Sequence, residues 1–145
     1  MTTHSALPSA FIKGVFETHL NVANLERSAQ FYEQVLGLSP LSRDDRLYAY
    51  DCGPRSVLLL FARGATSETA RLPGGEIPPH EGFGRLHFAL AVRAEDLGAW
   101  EERLAAEGVA VEGRMNWPRG GKSLYFRDPD GNLVELATPG LWANY

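Results

Sequence analysis

Phe16-Glu17-Thr18-His19-Leu20-Asn21-Val22 and Leu86-His87-Phe88-Ala89-Leu90-Ala91-Val92 read as two versions of one strand. In the first, Phe16, Thr18, Leu20 and Val22 share a face, and Glu17, His19 and Asn21 share the other. In the second, Leu86, Phe88, Leu90 and Val92 oppose His87, Ala89 and Ala91. Period-two alternation of this kind marks a strand buried on one side. Each strand carries a histidine on the face turned away from its apolar set.

The residues after each strand also repeat. Asn24 is a natural helix N-cap, Leu25, Ser28, Ala29, Tyr32, Val35 and Leu36 recur at helical spacing, and Gly37 is a stop. In the second copy a helix is expected over Asp96–Ala106, with Gly108 ending it. Strands are expected over Arg46–Asp51 and Ser56–Ala62, then over Val109–Val111, Ser123–Arg127 and Leu133–Thr138. Asp128-Pro129-Asp130-Gly131-Asn132 is a hairpin turn. A single βαβββ module leaves one face of its sheet bare, and two can cover each other. The expected fold is α+β: two βαβββ modules forming a curved mixed-sheet cup, module one over 14–63 and module two over 85–140. Residues 1–13 are expected to be an arm, 141–145 a tail, and 64–84, crowded with Gly and Pro, a linker or functional loop.

Bulk properties narrow the function. The 145 residues are 44% hydrophobic and 22% charged, ordinary for a globular domain. A net charge of −4, with Lys13 and Lys122 the only lysines and the arginines scattered, argues against nucleic acid. No apolar run is long enough for a bilayer, and the start of the chain lacks a signal pattern, so a cytoplasmic location is expected. Cys52 is alone and forms no internal disulfide.

The helices should cover the apolar face of each first strand, which turns His19 and His87 into the cup. Glu135 lies in Leu133-Val134-Glu135-Leu136-Ala137, where a buried carboxylate is costly unless it meets a cation. Two imidazoles and a carboxylate converging there make a triad for one divalent metal with open positions. The competing reading is a pair of hydrogen-bonded core or edge histidines and a solvent-facing glutamate.

Thr18-His19-Leu20-Asn21-Val22, Ser28-Ala29-Gln30-Phe31-Tyr32 with Leu36-Gly37-Leu38, and Tyr125 to Leu136 through Asp128-Pro129-Asp130-Gly131-Asn132 resemble the vicinal-oxygen-chelate superfamily. That group includes glyoxalase I, bleomycin-resistance and fosfomycin-resistance proteins and extradiol dioxygenases. The resemblance covers residues 14–140. It implies that His19, His87 and Glu135 hold one divalent metal (Fe, Mn, Zn, Ni or Co), that the substrate is a small oxygen-bearing molecule, and that the chain forms a homodimer. It leaves open whether modules pair within a chain or across two.

Aligning the two closing hairpins sets Leu59 against Glu135. The resemblance to glyoxalase I would imply a four-ligand site with a carboxylate in each module, so Leu59 argues against that activity. Bleomycin-sequestering relatives lack the ligands. Tyr125, across the hairpin from Glu135, is the candidate hydrogen-bond donor to a bound substrate. Trp117, Arg119 and Lys122 in Asn116–Ser123 are the candidate substrate contacts, through the attraction of a basic loop for an anionic group. Gly120-Gly121-Lys122-Ser123 lacks the spacing and the following helix of a phosphate loop. His80, in the linker, and His4 are expected to face solvent. An extradiol dioxygenase would need an acid–base histidine, for which His80 is the only candidate, and a fosfomycin-resistance enzyme a cation after Glu135, which Leu141–Tyr145 does not offer. The expectation is a metal-dependent enzyme of dioxygenase, lyase or transferase type. The alternative is a non-catalytic protein that sequesters a small molecule.

Overall fold

Alternating apolar side chains become the inner faces of two four-stranded mixed sheets. The computed structural model describes residues 11–145, so His4 and most of the expected arm lie outside it. Module one comprises β1 (Glu17–Val22), α1 (Leu25–Gln30, continued by a π-helical turn over Phe31–Val35), β2 (Ser39–Arg43), β3 (Leu47–Asp51) and β4 (Val57–Ala62). A short hairpin, β5 (Ala70–Leu72) and β6 (Gly75–Ile77), lies between the modules in sequence. Module two comprises β7 (His87–Ala91), α2 (Leu97–Ala106, entered through a 3₁₀ turn at Ala94–Asp96), β8 (Gly113–Asn116), β9 (Lys122–Arg127) and β10 (Leu133–Ala137). The sheet orders are β1-β4-β3-β2 and β7-β10-β9-β8, the same order twice, and in each the first strand runs parallel to the last.

Three expectations shift. The strand expected at Val109–Val111 forms instead at Gly113–Asn116. Val109 and Val111 pack against the core as a connector, with the Val109 N–H donating to the Leu104 carbonyl. β2 is absent from the sequence reading, because an exposed Ser-Pro-Leu-Ser-Arg edge strand carries no alternation; its bulge lies between Pro40 and Ser42, where proline's missing N–H is tolerated. The 64–84 segment, read as a linker or loop, contains the β5–β6 hairpin.

The modules pack through their helix-bearing faces. Leu20, Val22, Tyr32, Tyr50, Leu58 and Leu60 of module one join Leu104, Leu124, Phe126, Val134 and Leu136 of module two in one core. Phe31 lies 6.2 Å from Phe126 and Tyr32 6.4 Å from Phe88, ring centre to ring centre. The Arg103 guanidinium donates to the Val35 carbonyl at 2.6 Å, tying α2 to the end of the first helix. The opposite faces of both sheets, where His19 and His87 lie, therefore turn outward from a single chain. Among the described residues, no helix is long and apolar enough to cross a membrane.

Candidate metal centre

β7 and β10 run parallel, with His87 beside Leu133 and Ala89 beside Glu135. Alternation puts His87 and Glu135 on the same outward face, their Nε2 and Oε1 atoms 3.2 Å apart. The far nitrogen of His87, Nδ1, is 2.9 Å from the Leu133 carbonyl oxygen. A carbonyl only accepts, so Nδ1 carries the proton, and in the neutral ring Nε2 is a bare lone pair aimed at a carboxylate oxygen. Either a proton on Nε2 or a shared metal ion satisfies the two facing atoms at this separation. Adjacent ligands on a metal with bonds of ~2.1 Å sit about 3 Å apart, so the pair fits a divalent ion.

Glu135 is buried, and its second oxygen accepts the Ser123 hydroxyl proton at 2.5 Å. Ser123 Oγ in turn accepts the Trp117 indole N–H at 2.9 Å. This chain fixes the carboxylate's orientation, as supporting hydrogen bonds do around metal ligands. Tyr125 is the direct cross-strand partner of Glu135, and its ring centre is 6.2 Å from that of His87. Burial first, and then the Glu135 charge, raise the Tyr125 phenol above its ordinary range, so it stays protonated and able to donate.

These groups floor a cavity of about 760 Å³. Its walls are Ala89, Ala91, Trp117, Pro118, Leu141, Trp142 and Tyr145. The expected tail is thus part of the wall: the Tyr145 hydroxyl donates to the Val92 carbonyl at 3.1 Å and folds the end of the chain over β7. Sequence reasoning misses Leu141, Trp142 and Tyr145, although two aromatics in five residues are a signal. It also assigns too many residues to the loop. Arg119 is exposed and outside the lining, and Lys122 points to the other side of β9, beside Leu97, Glu101 and Thr138. The cause is the strand's period of two: with Ser123 and Tyr125 facing the cavity, Lys122 must face away.

His19 does not join this group. It lies in the other sheet, its Nε2 2.7 Å from Asn21 Oδ1, its ring stacked on Phe61 at 4.6 Å and met edge-on by His80 at 4.6 Å. His80 is exposed as a residue yet holds this contact. Burial lowers the His19 pKa more than the Asn21 bond raises it, so the ring is neutral at pH 7. Among the described residues of one chain, no three His, Cys, Asp or Glu side chains gather closely enough to hold a metal.

A sequence profile of the Glyoxalase/Bleomycin resistance protein/Dioxygenase superfamily matches residues 14–136. The chain belongs to that superfamily. Superfamily relatives include a metallothiol transferase FosB of Staphylococcus haemolyticus, 30% identical over 90% of this chain and 86% of its own length. A catechol-2,3-dioxygenase of Bacillus subtilis is 30% identical over 81% of this chain but only 38% of its own length. Among solved superfamily structures, a lactoylglutathione lyase from Agrobacterium tumefaciens is 33% identical, with a TM-score of 0.82 over 91% of this chain and 98% of the other. The superfamily's two mixed sheets and small helices are those described above, and its named members include metal-dependent enzymes that act on small molecules.

Proposed function

We propose that the chain is a metal-dependent enzyme for a small substrate carrying two neighbouring oxygens, its divalent ion held by His87 and Glu135 with a ligand from module one of a second copy. The observation that carries this reading is His87 Nε2 facing the buried Glu135 carboxylate at 3.2 Å, on the floor of an open apolar cavity. The outward cup faces support the homodimer, because each chain presents half a site twice and completes neither alone.

A divalent ion here would polarise bound substrate oxygens and stabilise negative charge developing on them. The chain's own groups do the rest. Ser123 and Trp117 hold Glu135 in place. Tyr125 supplies a neutral phenol O–H beside the ligands, able to donate to a substrate oxygen. Trp117, Trp142 and Leu141 line the cavity with apolar surface and favour a flat, apolar body. With no cationic side chain in the lining, the substrate that fits is an aromatic or apolar molecule with adjacent oxygens, rather than a multiply charged anion.

Metal analysis of protein purified without chelator, followed by an oxygen-consumption screen with substituted catechols, tests the reading. We expect about one ion per chain, lost in His87→Ala and Glu135→Gln. Unchanged metal content in both variants would overturn it, and metal binding without turnover of any diol or catechol would indicate sequestration in place of catalysis.

A further inference from the structure

We infer that Glu17, rather than His19, is the ligand that module one contributes, and that it meets His87 and Glu135 of a second copy of the chain. This rests on the metal reading above.

The sheet registers carry the inference. In module one Asp51 pairs with Val57, in module two Arg127 pairs with Leu133, and the turns between, residues 52–56 and 128–132, are equal in length. The two closing hairpins are therefore the same object, with Leu59 the counterpart of Glu135 and Ala49 of Tyr125. The parallel strand is then placed by its own hydrogen bonds. The Val57 N–H donates to the Phe16 carbonyl at 2.8 Å, and the Leu133 N–H donates to the Leu86 carbonyl at 2.7 Å. Val57 pairs with Glu17, and Leu133 pairs with His87. Glu17 thus occupies the place of His87, and His19 the place of Ala89, one pleat deeper along the strand.

When like modules close on each other about a pseudo-two-fold axis, counterpart positions that lie near the axis meet. Glu17 is exposed at the mouth of β1, on the outward face, as His87 is at the mouth of β7. His19 is committed elsewhere. Its Nε2 donates to Asn21 Oδ1, and its Nδ1 is buried against the chain's own atoms without a partner, closed to a second molecule. Asn21 extends the same fastening: its Nδ2 donates to Thr66 Oγ1 at 3.0 Å, and its Oδ1 also accepts from the Gly82 N–H at 3.0 Å. His19 belongs to the seam that holds the 64–84 segment against β1. The resulting ligand set is one imidazole and two carboxylates, which neutralises a divalent ion and favours Mn(II) or Fe(II) over softer ions.

The test uses the full chain and Mn(II) as probe, with free Mn(II) read by electron paramagnetic resonance. Glu17→Gln should weaken binding at least tenfold, as Glu135→Gln and His87→Ala do, while His19→Gln stays within about twofold of the parent. Pulsed spectroscopy of the parent protein's bound Mn(II) should detect a single imidazole, a readout that needs no variant to fold. Two imidazoles, or unweakened binding in Glu17→Gln, would overturn the assignment. Parent-like binding in His87→Ala and Glu135→Gln would instead sink the metal reading beneath it. Co-refolding Glu17→Gln with Glu135→Gln should restore about a quarter of the sites if the ligand comes from the second copy, and none if it comes from the same chain.

Discussion

The Tyr32 hydroxyl donates to Asp128 Oδ2 at 2.7 Å, joining the first module's helix to the second module's last turn. Asp128 also accepts the backbone N–H groups of Asp130 and Asn132 at 3.0 and 2.8 Å and the Asn132 side-chain amide at 2.9 Å. Asp130 reaches across to the Ala23 N–H at 2.9 Å and the Ser28 hydroxyl at 3.3 Å. The most recognisable motif in the sequence is thus a fastening between modules. It touches no group of the cavity.

Removing that fastening should cost stability and leave metal affinity alone. Asp128→Ala strands a buried phenol, a buried amide and two backbone donors, a loss of about 3 kcal/mol or more. Urea unfolding should show the free energy of unfolding falling by that amount and the midpoint falling with it, while Mn(II) affinity of the remaining folded protein stays at the parent value. A parent-like midpoint would show that the turn does not hold the modules together.

The same pair should contribute to a loss of stability at alkaline pH. Burial, then the Asp128 charge, push the Tyr32 phenol well above its ordinary 10.0. The unfolded phenol loses its proton near 10 while the folded one keeps it, so the unfolded state gains and stability falls as pH rises past that value. Tyr32→Phe should lose about 1 kcal/mol at neutral pH and show a shallower decline between pH 9 and 11. Equal slopes in both proteins, measured by urea titration, would assign the alkaline transition to other groups.

The modules, the closing hairpins and the pair His87–Glu135 are legible in the sequence because each has a local signature: alternation, a five-residue Asp/Gly turn, a lone carboxylate in an apolar strand. The module-one ligand proposed for that pair is not. Aligned on Val22 and Val92, the two first strands set Glu17 against His87, but histidine is the more familiar ligand and residue type outweighs register. A parallel pairing of residues far apart in sequence leaves no local trace. Lys122 is misplaced for the opposite reason, since a loop reading ignores the strand phase that Ser123 and Tyr125 impose.

Ser123 should act on metal affinity through Glu135 alone. Ser123→Ala removes the proton donated to Glu135 Oε2 and leaves the Trp117 indole N–H without its acceptor. Affinity for Mn(II) should drop about tenfold, with the fold intact by circular dichroism. Ser123→Thr, which keeps the hydroxyl, should recover most of it. Parent-like affinity in the alanine variant would mean the carboxylate is held by packing.

Leu59 makes a sharper functional prediction. It pairs with Ala49 across β3–β4 as Glu135 pairs with Tyr125 across β9–β10, so it stands where a second-carboxylate ligand would stand in a symmetric site. An isobutyl group cannot coordinate, and in the proposed site it would present apolar surface toward the ion. Turnover of the methylglyoxal–glutathione hemithioacetal should therefore fall far below an ordinary enzyme rate of about 10 per second, despite the likeness to a lactoylglutathione lyase. Leu59→Glu should tighten Mn(II) binding, because a further oxygen ligand arrives on the same face as Glu17. Ready turnover by the parent protein would show that three ligands suffice for that chemistry. Weaker binding in Leu59→Glu would show that the module-one face does not approach the ion.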